Sequence, residues 1–224
     1  MPEKKGQLAK SDLEAMGVEI RLNSQVTGVE ADGILIGEER VPAENVIWAA
    51  GVQGTPIARS LGAEVDAQGR VLVGPDCSIP GHPEVFVIGD AAHAIDANSG
   101  QPVPGVAQGA IQMATFVAKI VGDEIEGNTT SERPSFTYHD KGSMSTIGRG
   151  KALASVNGRT FHGFLGWLAW GLVHLMFLVG FRTKVFVMFD WGWSFFAGER
   201  GSRLISGEQL QQIKEVKGAR MYDR

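Results

Sequence analysis

Along residues 11–50 the apolar positions come in short pieces. Asp12, Leu13, Ala15 and Met16 read as the end of a helix closed by Gly17. Val18–Leu22 alternates as a strand. Val26–Glu30, Gly33–Ile36 and Val41 continue as short β pieces, with Asp32-Gly33 as a tight hairpin turn. Val46–Ala50 is fully apolar and ends at Gly51, the pattern of a buried strand. Gly54-Thr55-Pro56 breaks the chain before a short helix over Ile57–Leu61. Val71–Val73 reads as a strand, followed by an irregular link containing Pro75, Pro80, Gly81 and Pro83. Val85–Ile88 is a second buried strand, ending at Gly89-Asp90. Val106, Ala110, Met113, Val117 and Ile120 form one stripe at helical spacing. They predict a helix from Pro104, tolerated in a first turn, to about Val121. After a polar linker over Gly127–Pro134, strands are expected at Phe136–Tyr138, Ser143–Ile147 and Ala152–Val156, with Gly148-Arg149-Gly150 as a turn.

The pattern then becomes continuously apolar. Phe164–Phe181 is a run of 18 uncharged residues, at the lower limit for crossing a bilayer. Gly166, Gly171 and Gly180 lower its helix propensity, and His174 is costly at a bilayer centre. Val185–Phe189 and Trp191–Phe196 follow. Three readings are open: a spanning helix, a buried core hairpin, and a helix pair lying in the interface. Tryptophans at 167, 170, 191 and 193 suit the third, as an interfacial belt.

Composition sharpens this division. The 224 residues carry a net charge of −4. Residues 1–140 hold 9 Lys/Arg against 20 Asp/Glu, a net −11. Residues 141–205 hold 8 basic residues, Arg200 and Arg203 among them, against Asp190 and Glu199, a net +6. A basic segment suggests an anionic partner. Residues 161–196 contain 12 of the 18 aromatics in nearly continuous apolar sequence, which favours lipid over nucleic acid. Thirty glycines without a Gly-X-Y period point to tight turns and close backbone approaches. One cysteine, Cys77, excludes a disulfide scaffold, a CxxC redox pair and a cysteine-based zinc site. The polar stretch Met1–Lys10 is not a signal peptide.

The candidate chemistry centres on two pieces. Val85–Asp90 places a carboxylate just past the end of a strand, where ligands bind in open α/β sheets. Gly89 lets backbone approach closely, and Asp90 can accept hydrogen bonds from the hydroxyls of a ribitol or ribose. A turn or cap aspartate is the plainer alternative. Fourteen residues on, Pro104–Gly109 opens a helix whose free N–H groups suit an electron-rich oxygen or an anionic ring. Gln108 and Gln112 share a helix face and can donate to a carbonyl-bearing ligand; solvent-facing glutamines are the alternative. His93 reads as a cap. His139, Asp140 and Lys141 are consecutive and point in different directions, which makes a poor triad.

Val46–Val52, Val85–Asp90 and Ala107–Gln112, in that order, resemble the type II NADH:quinone oxidoreductases. Lys141–Arg149 and the aromatic tail ending Arg203-Leu204-Ile205 match as well. The resemblance covers about Leu13 to Ile205. It implies an α/β flavoprotein with two dinucleotide-binding domains and a membrane-associated C-terminal module. Residues 1–47 correspond to the trailing end of an NADH-binding domain and 48–135 to the closing part of an FAD-binding domain. Residues 136–224 correspond to a β-hairpin plus the membrane module. The implied cofactor is FAD, with NADH as substrate and a quinone as acceptor.

Residue by residue, the resemblance puts Gly89 and Asp90 on the second FAD motif, with Asp90 at the ribitol. Ala107 and Gln108 fall at the flavin's pyrimidine edge, and Gln108 and Gln112 at the quinone pocket. Gly51 ends the strand returning to the FAD domain. The implied enzyme is monotopic, on the cytoplasmic face of the inner membrane and non-proton-pumping, with a homodimer left open. Residues 161–196 would form the mouth of a quinone tunnel. Neither GxGxxG motif of the family occurs in these 224 residues, and the acidic residue near nicotinamide and quinone is lacking too. The first half of the fold is therefore a separate chain or lacking, and no NADH:quinone turnover is expected from this chain alone. A flavoprotein with another donor or acceptor, and an inactive membrane-binding fragment, are the alternatives. Solitary Cys77 counts against the sulfur-chemistry relatives.

Overall fold

The computed structural model describes residues 3–128, 132–156 and 158–197. Arg200 and Arg203–Ile205, singled out above, lie outside them. The chain divides into two compact units, one of residues 20–142 and one joining residues 1–19 to 143–224.

In the unit of residues 20–142, a meander opens the fold: β1 (Val26–Glu30), β2 (Gly33–Ile36) and β3 (Glu39–Pro42), all antiparallel. The first turn is Ala31-Asp32, one residue earlier than expected, because Glu30 pairs with Gly33. Gly33 serves a different purpose, since a Cβ there would stand 2.4 Å from the Val41 carbonyl oxygen. Val18–Leu22 forms no strand. Nor does Val46–Ala50: the run is irregular, and Ile47 and Trp48 are exposed. A strand buried on both faces needs neighbours on both edges, and none among the described residues pairs with this one.

A short helix α2 (Pro56–Ser60) follows. β4 (Val71–Leu72) pairs in parallel with β7 (Ala92–His93), and β5 (Ser78–Ile79) pairs antiparallel with β6 (His82–Phe86). The second apolar run is thus only partly a strand. β6 stops at Phe86, Val87 and Ile88 continue extended, and Gly89–Ala91 makes a 3₁₀ turn. α3 (Ala107–Ile125) begins three residues after Pro104 and runs four beyond Val121. Met113 and Ile120 on its predicted stripe are buried. Two small cores result. One gathers Ala58, Val71, Ile79, Val87 and Ala92; the other gathers Cys77, Ala94, Val103, Met113 and Phe136. Phe136–Tyr138 pairs with no strand among the described residues, but Phe136 is buried edge-on against Phe116, with centroids 5.4 Å apart.

In the other unit, β8 (Ser143–Gly148), β9 (Lys151–Val156) and β10 (Arg159–His162) form an antiparallel sheet. The turn between β8 and β9 is Arg149-Gly150, with Gly150 at φ +67°. The sequence pattern missed β10. α1 (Glu3–Glu14) packs on β8 and β9 and ends before Gly17, which is left-handed as expected at φ +85°. Asp12 on α1 lies 2.7 Å from His162 Nε2. The apolar tail is a hairpin of two helices, α4 (Gly163–Phe177) and α5 (Phe181–Ala197), reversed at Leu178–Gly180. Gly166 lets α4 lie directly on β9: a Cβ there would meet Ala152 O at 2.4 Å. Among the described residues, no helix is long and apolar enough to cross a membrane.

Candidate functional site

The turn at Gly89–Ala91 and the first turns of α3 build one cluster. Gly89 has φ +66°, and a Cβ on it would stand 3.2 Å from Ala110 Cβ. Its N–H points at Met113 Sδ, 3.2 Å away. Only glycine meets both the left-handed backbone and the close helix approach. The turn presents Asp90 to solvent beside the loop entering α3. A Cβ on Gly105 would lie 3.4 Å from Asp90 Oδ1. The Asp90 carboxylate has no hydrogen bond or ion pair among the described residues.

Val106 caps α3 without a side-chain acceptor, and the first helical bond runs from Ala110 N–H to Val106 O. The N–H groups of Ala107, Gln108 and Gly109 are left free in the backbone network. They carry the positive end of the helix dipole. Gln108 Oε1 is buried and has no hydrogen-bond partner. Such an atom costs about 1–3 kcal/mol unless something binds to it. The start of α3 therefore carries three free N–H donors and one starved acceptor, with the Asp90 carboxylate next to the loop that enters it.

Gln112 is placed differently from Gln108. Its Nε2 donates to His139 O at 3.0 Å, and its Oε1 accepts from His139 N–H at 2.9 Å. One of its amide hydrogens is left for a ligand. Gly51, at φ +131°, stands in open space after the irregular run that precedes it.

Sequence reasoning missed the polar groups that hold this region. Asp96 is buried and accepts from Ser99 Oγ (2.5 Å), Ser99 N–H (3.0 Å) and Tyr138 N–H (2.9 Å). The Ser99 hydroxyl and the Tyr138 N–H together hold its pKa down at about 2. The spacing Asp96-x-x-Ser99-Gly100 is a turn signal that could have revealed it. His93 does not act as a simple cap. Its Nδ1 lies 2.9 Å from both Asp66 Oδ2 and Arg70. Burial pushes Asp66 up, but bonds from Arg70 and His93 outweigh it and bring its pKa to about 2. Arg133 reaches Asp76 at 2.9 Å, Glu124 at 2.7 Å and Pro83 O at 2.7 Å, contacts between residues too far apart in sequence to leave a signal. Cys77 is fully buried at φ +66°; burial and Asp76 push its thiol up to about 11. No cluster of potential metal ligands occurs among the described residues.

Comparison with known proteins gives the family. The profile for pyridine nucleotide-disulphide oxidoreductases matches residues 1–114, and the chain belongs to that family. The sequence is 40% identical over 231 aligned positions to the type II NADH:quinone oxidoreductase Ndh of Mycobacterium tuberculosis, covering 96% of this chain and 49% of that one. It is likewise 40% identical to NdhA of the same organism, over 94% of this chain and 46% of that one. The chain spans about half the length of the curated relatives it matches. The fold is similar to that of NDH2 from Plasmodium falciparum, solved in complex with NADH, at a TM-score of 0.73 and 15% identity. That superposition covers 88% of this chain and 55% of the other.

Proposed function

We propose that this chain is the flavin-closing and membrane-docking portion of an enzyme that passes electrons from NADH through FAD to a quinone, without pumping protons. The observation that carries this is the buried, unpartnered Gln108 Oε1 beside the free N–H groups of α3. A flavin's pyrimidine edge alternates carbonyl oxygens with an N–H. The free N–H groups of Ala107 and Gln108 match the oxygens, and Gln108 Oε1 matches the N–H. Asp90 is free to hold the ribitol hydroxyls, and Gly89 and Gly105 keep the approach clear of side chains. FAD, when bound, accepts hydride from NADH and delivers electrons to the quinone. The α3 dipole favours negative charge at this edge. The remaining Gln112 amide hydrogen and Gln108 orient an acceptor carbonyl. The similarity to type II NADH:quinone oxidoreductases supports the same reading.

The α4–α5 hairpin docks on lipid in this proposal. At 15 residues and 1.5 Å per residue, α4 is about 22 Å long, short of a ~30 Å hydrocarbon core. Exposed Leu165, Leu168, Leu172, Met176, Phe186 and Phe189 give the pair an apolar surface. Arg182, stacked over Phe186 at 5.4 Å, and Lys184 suit anionic headgroups at the interface. The protein is then peripheral, on the cytoplasmic face of the inner membrane.

Riboflavin, which carries both the ring and the ribitol, tests the site directly. Titration should quench flavin fluorescence with the parent chain. Asp90→Ala and Gln108→Leu should each weaken binding about tenfold, the value of a charge-assisted or buried hydrogen bond. Equal affinity in all three proteins refutes the assignment.

A further inference from the structure

We infer that Gln112 is a positioning residue: its amide acts as a surrogate strand edge that clamps the strap of residues 136–141 onto α3. This rests on the acceptor-site reading above. The reciprocal pair of bonds with the His139 backbone, 3.0 and 2.9 Å, is the pattern two antiparallel residues exchange in a sheet. Among the described residues no strand pairs with the strap, so its backbone groups need other partners. It finds them one after another. Phe136 N–H donates to Pro75 O at 2.7 Å, and Phe136 O accepts from Ala97 N–H at 3.1 Å. Tyr138 N–H donates to Asp96 at 2.9 Å. His139 is served by the Gln112 side chain of α3, which adds a pair of backbone hydrogen bonds to the apolar packing of Phe136 on Phe116.

The consequence is a division of labour between two glutamines one helical turn apart. Gln108 keeps a buried acceptor with nothing bound to it, whereas Gln112 has committed its acceptor and one of its two hydrogens. Gln108 therefore makes the decisive contact with a ligand. Gln112 acts mainly through the strap, holding the His139 backbone against α3. Shortening or removing the Gln112 amide frees two backbone groups at once, and the strap loosens at His139 while Phe136 and Tyr138 stay anchored.

The substitution Gln112→Glu separates the clamp from direct contact. When protonated, the introduced carboxyl would both accept from His139 N–H and donate to His139 O. When ionised, it can only accept, and it faces a carbonyl oxygen. The titratable neighbours are Tyr138, His139, Asp140 and Lys141 on the facing strap and Asp90 on the turn packed against α3; the Asp140 carboxylate accepts from Gly142 N–H at 2.8 Å. On α3 itself no titratable residue lies within a turn of position 112.

Two measurements on the whole chain decide the matter: amide exchange at His139, corrected for the intrinsic effect of pH, and calorimetric titration with a short-chain ubiquinone. Gln112→Ala should cut His139 protection about tenfold, as expected for the net loss of one to two hydrogen bonds. Gln112→Glu should do so at pH 7 and recover at pH 4, with quinone affinity following the protection. Gln108→Leu should lower quinone affinity and leave His139 protection unchanged. The clamp is overturned if His139 exchange is the same in parent and Gln112→Ala. It is equally overturned if Gln112→Glu loses quinone affinity while protection stays intact. Should the parent chain bind no quinone, the acceptor reading falls, and the exchange arm alone decides the clamp.

Discussion

The hairpin tip gives the most direct measure of membrane docking. Val179 and Phe181 flank Gly180 at the reversal between α4 and α5, and they are 90% and 83% exposed. Neither packs on the hairpin, so replacing both with serine should leave it folded. Full burial of a valine stabilises by about 1.5 kcal/mol and of a phenylalanine by up to about 3 kcal/mol. Scaled by their exposure, insertion of both into the acyl boundary is worth roughly 3–4 kcal/mol. Partial insertion at headgroup depth halves that. The double variant Val179→Ser/Phe181→Ser should therefore lose between about 10-fold and 10³-fold in partitioning to vesicles. Flotation with vesicles of mixed zwitterionic and anionic lipid reads this, with circular dichroism as the check on folding. Partitioning within twofold of the parent refutes docking through this tip. The tryptophans are poorer targets. Trp170 stacks on Trp191 at 5.2 Å and Trp167 packs on Phe195 at 4.8 Å, so removing them breaks the hairpin before it tests the lipid contact.

Two further predictions concern packing and pH. Gly166→Ala drives a Cβ to 2.4 Å from Ala152 O and 2.9 Å from Phe161 O and should cost about 1–3 kcal/mol in urea unfolding. Gly171→Ala on the same helix meets nothing within 4 Å and should instead add up to about 1 kcal/mol. Asp66 and Asp96 both have folded pKa values near 2, against about 3.9 for an unfolded aspartate. Their contribution is complete above about pH 4 and is lost as pH falls toward 2, because the unfolded chain binds more protons in that window. Urea midpoints at pH 7, 4 and 2.5 should show the fall between the last two values, and Ser99→Ala should flatten it. A midpoint independent of pH would contradict these assignments.

The sequence by itself determined the elements whose signals are local. The stripe through Met113 and Ile120 settled which face of α3 is buried, because helical spacing repeats every few residues. Short apolar pieces about a turn gave β1 and β2, whereas the alternating Val18–Leu22 forms no strand; Gly17 and Gly150 marked reversals that only a left-handed backbone makes. The order of motifs around Gly89-Asp90 and Gln108 was legible too, since backbone approach and helix-end polarity are written in adjacent residues. Partners distant along the chain were not legible. The Val46–Ala50 run has the composition of a buried strand, yet a strand is made by its neighbours, and none among the described residues pairs with it. Gln108 and Gln112 look alike in sequence; only packing against a strap 27 residues away separates a free buried acceptor from a clamped amide. Likewise, the 18 uncharged residues left a spanning helix, a buried hairpin and an interfacial helix pair open, with the tryptophans favouring the last. The chain reverses at Gly180, and ring stacking between α4 and α5 decides for two.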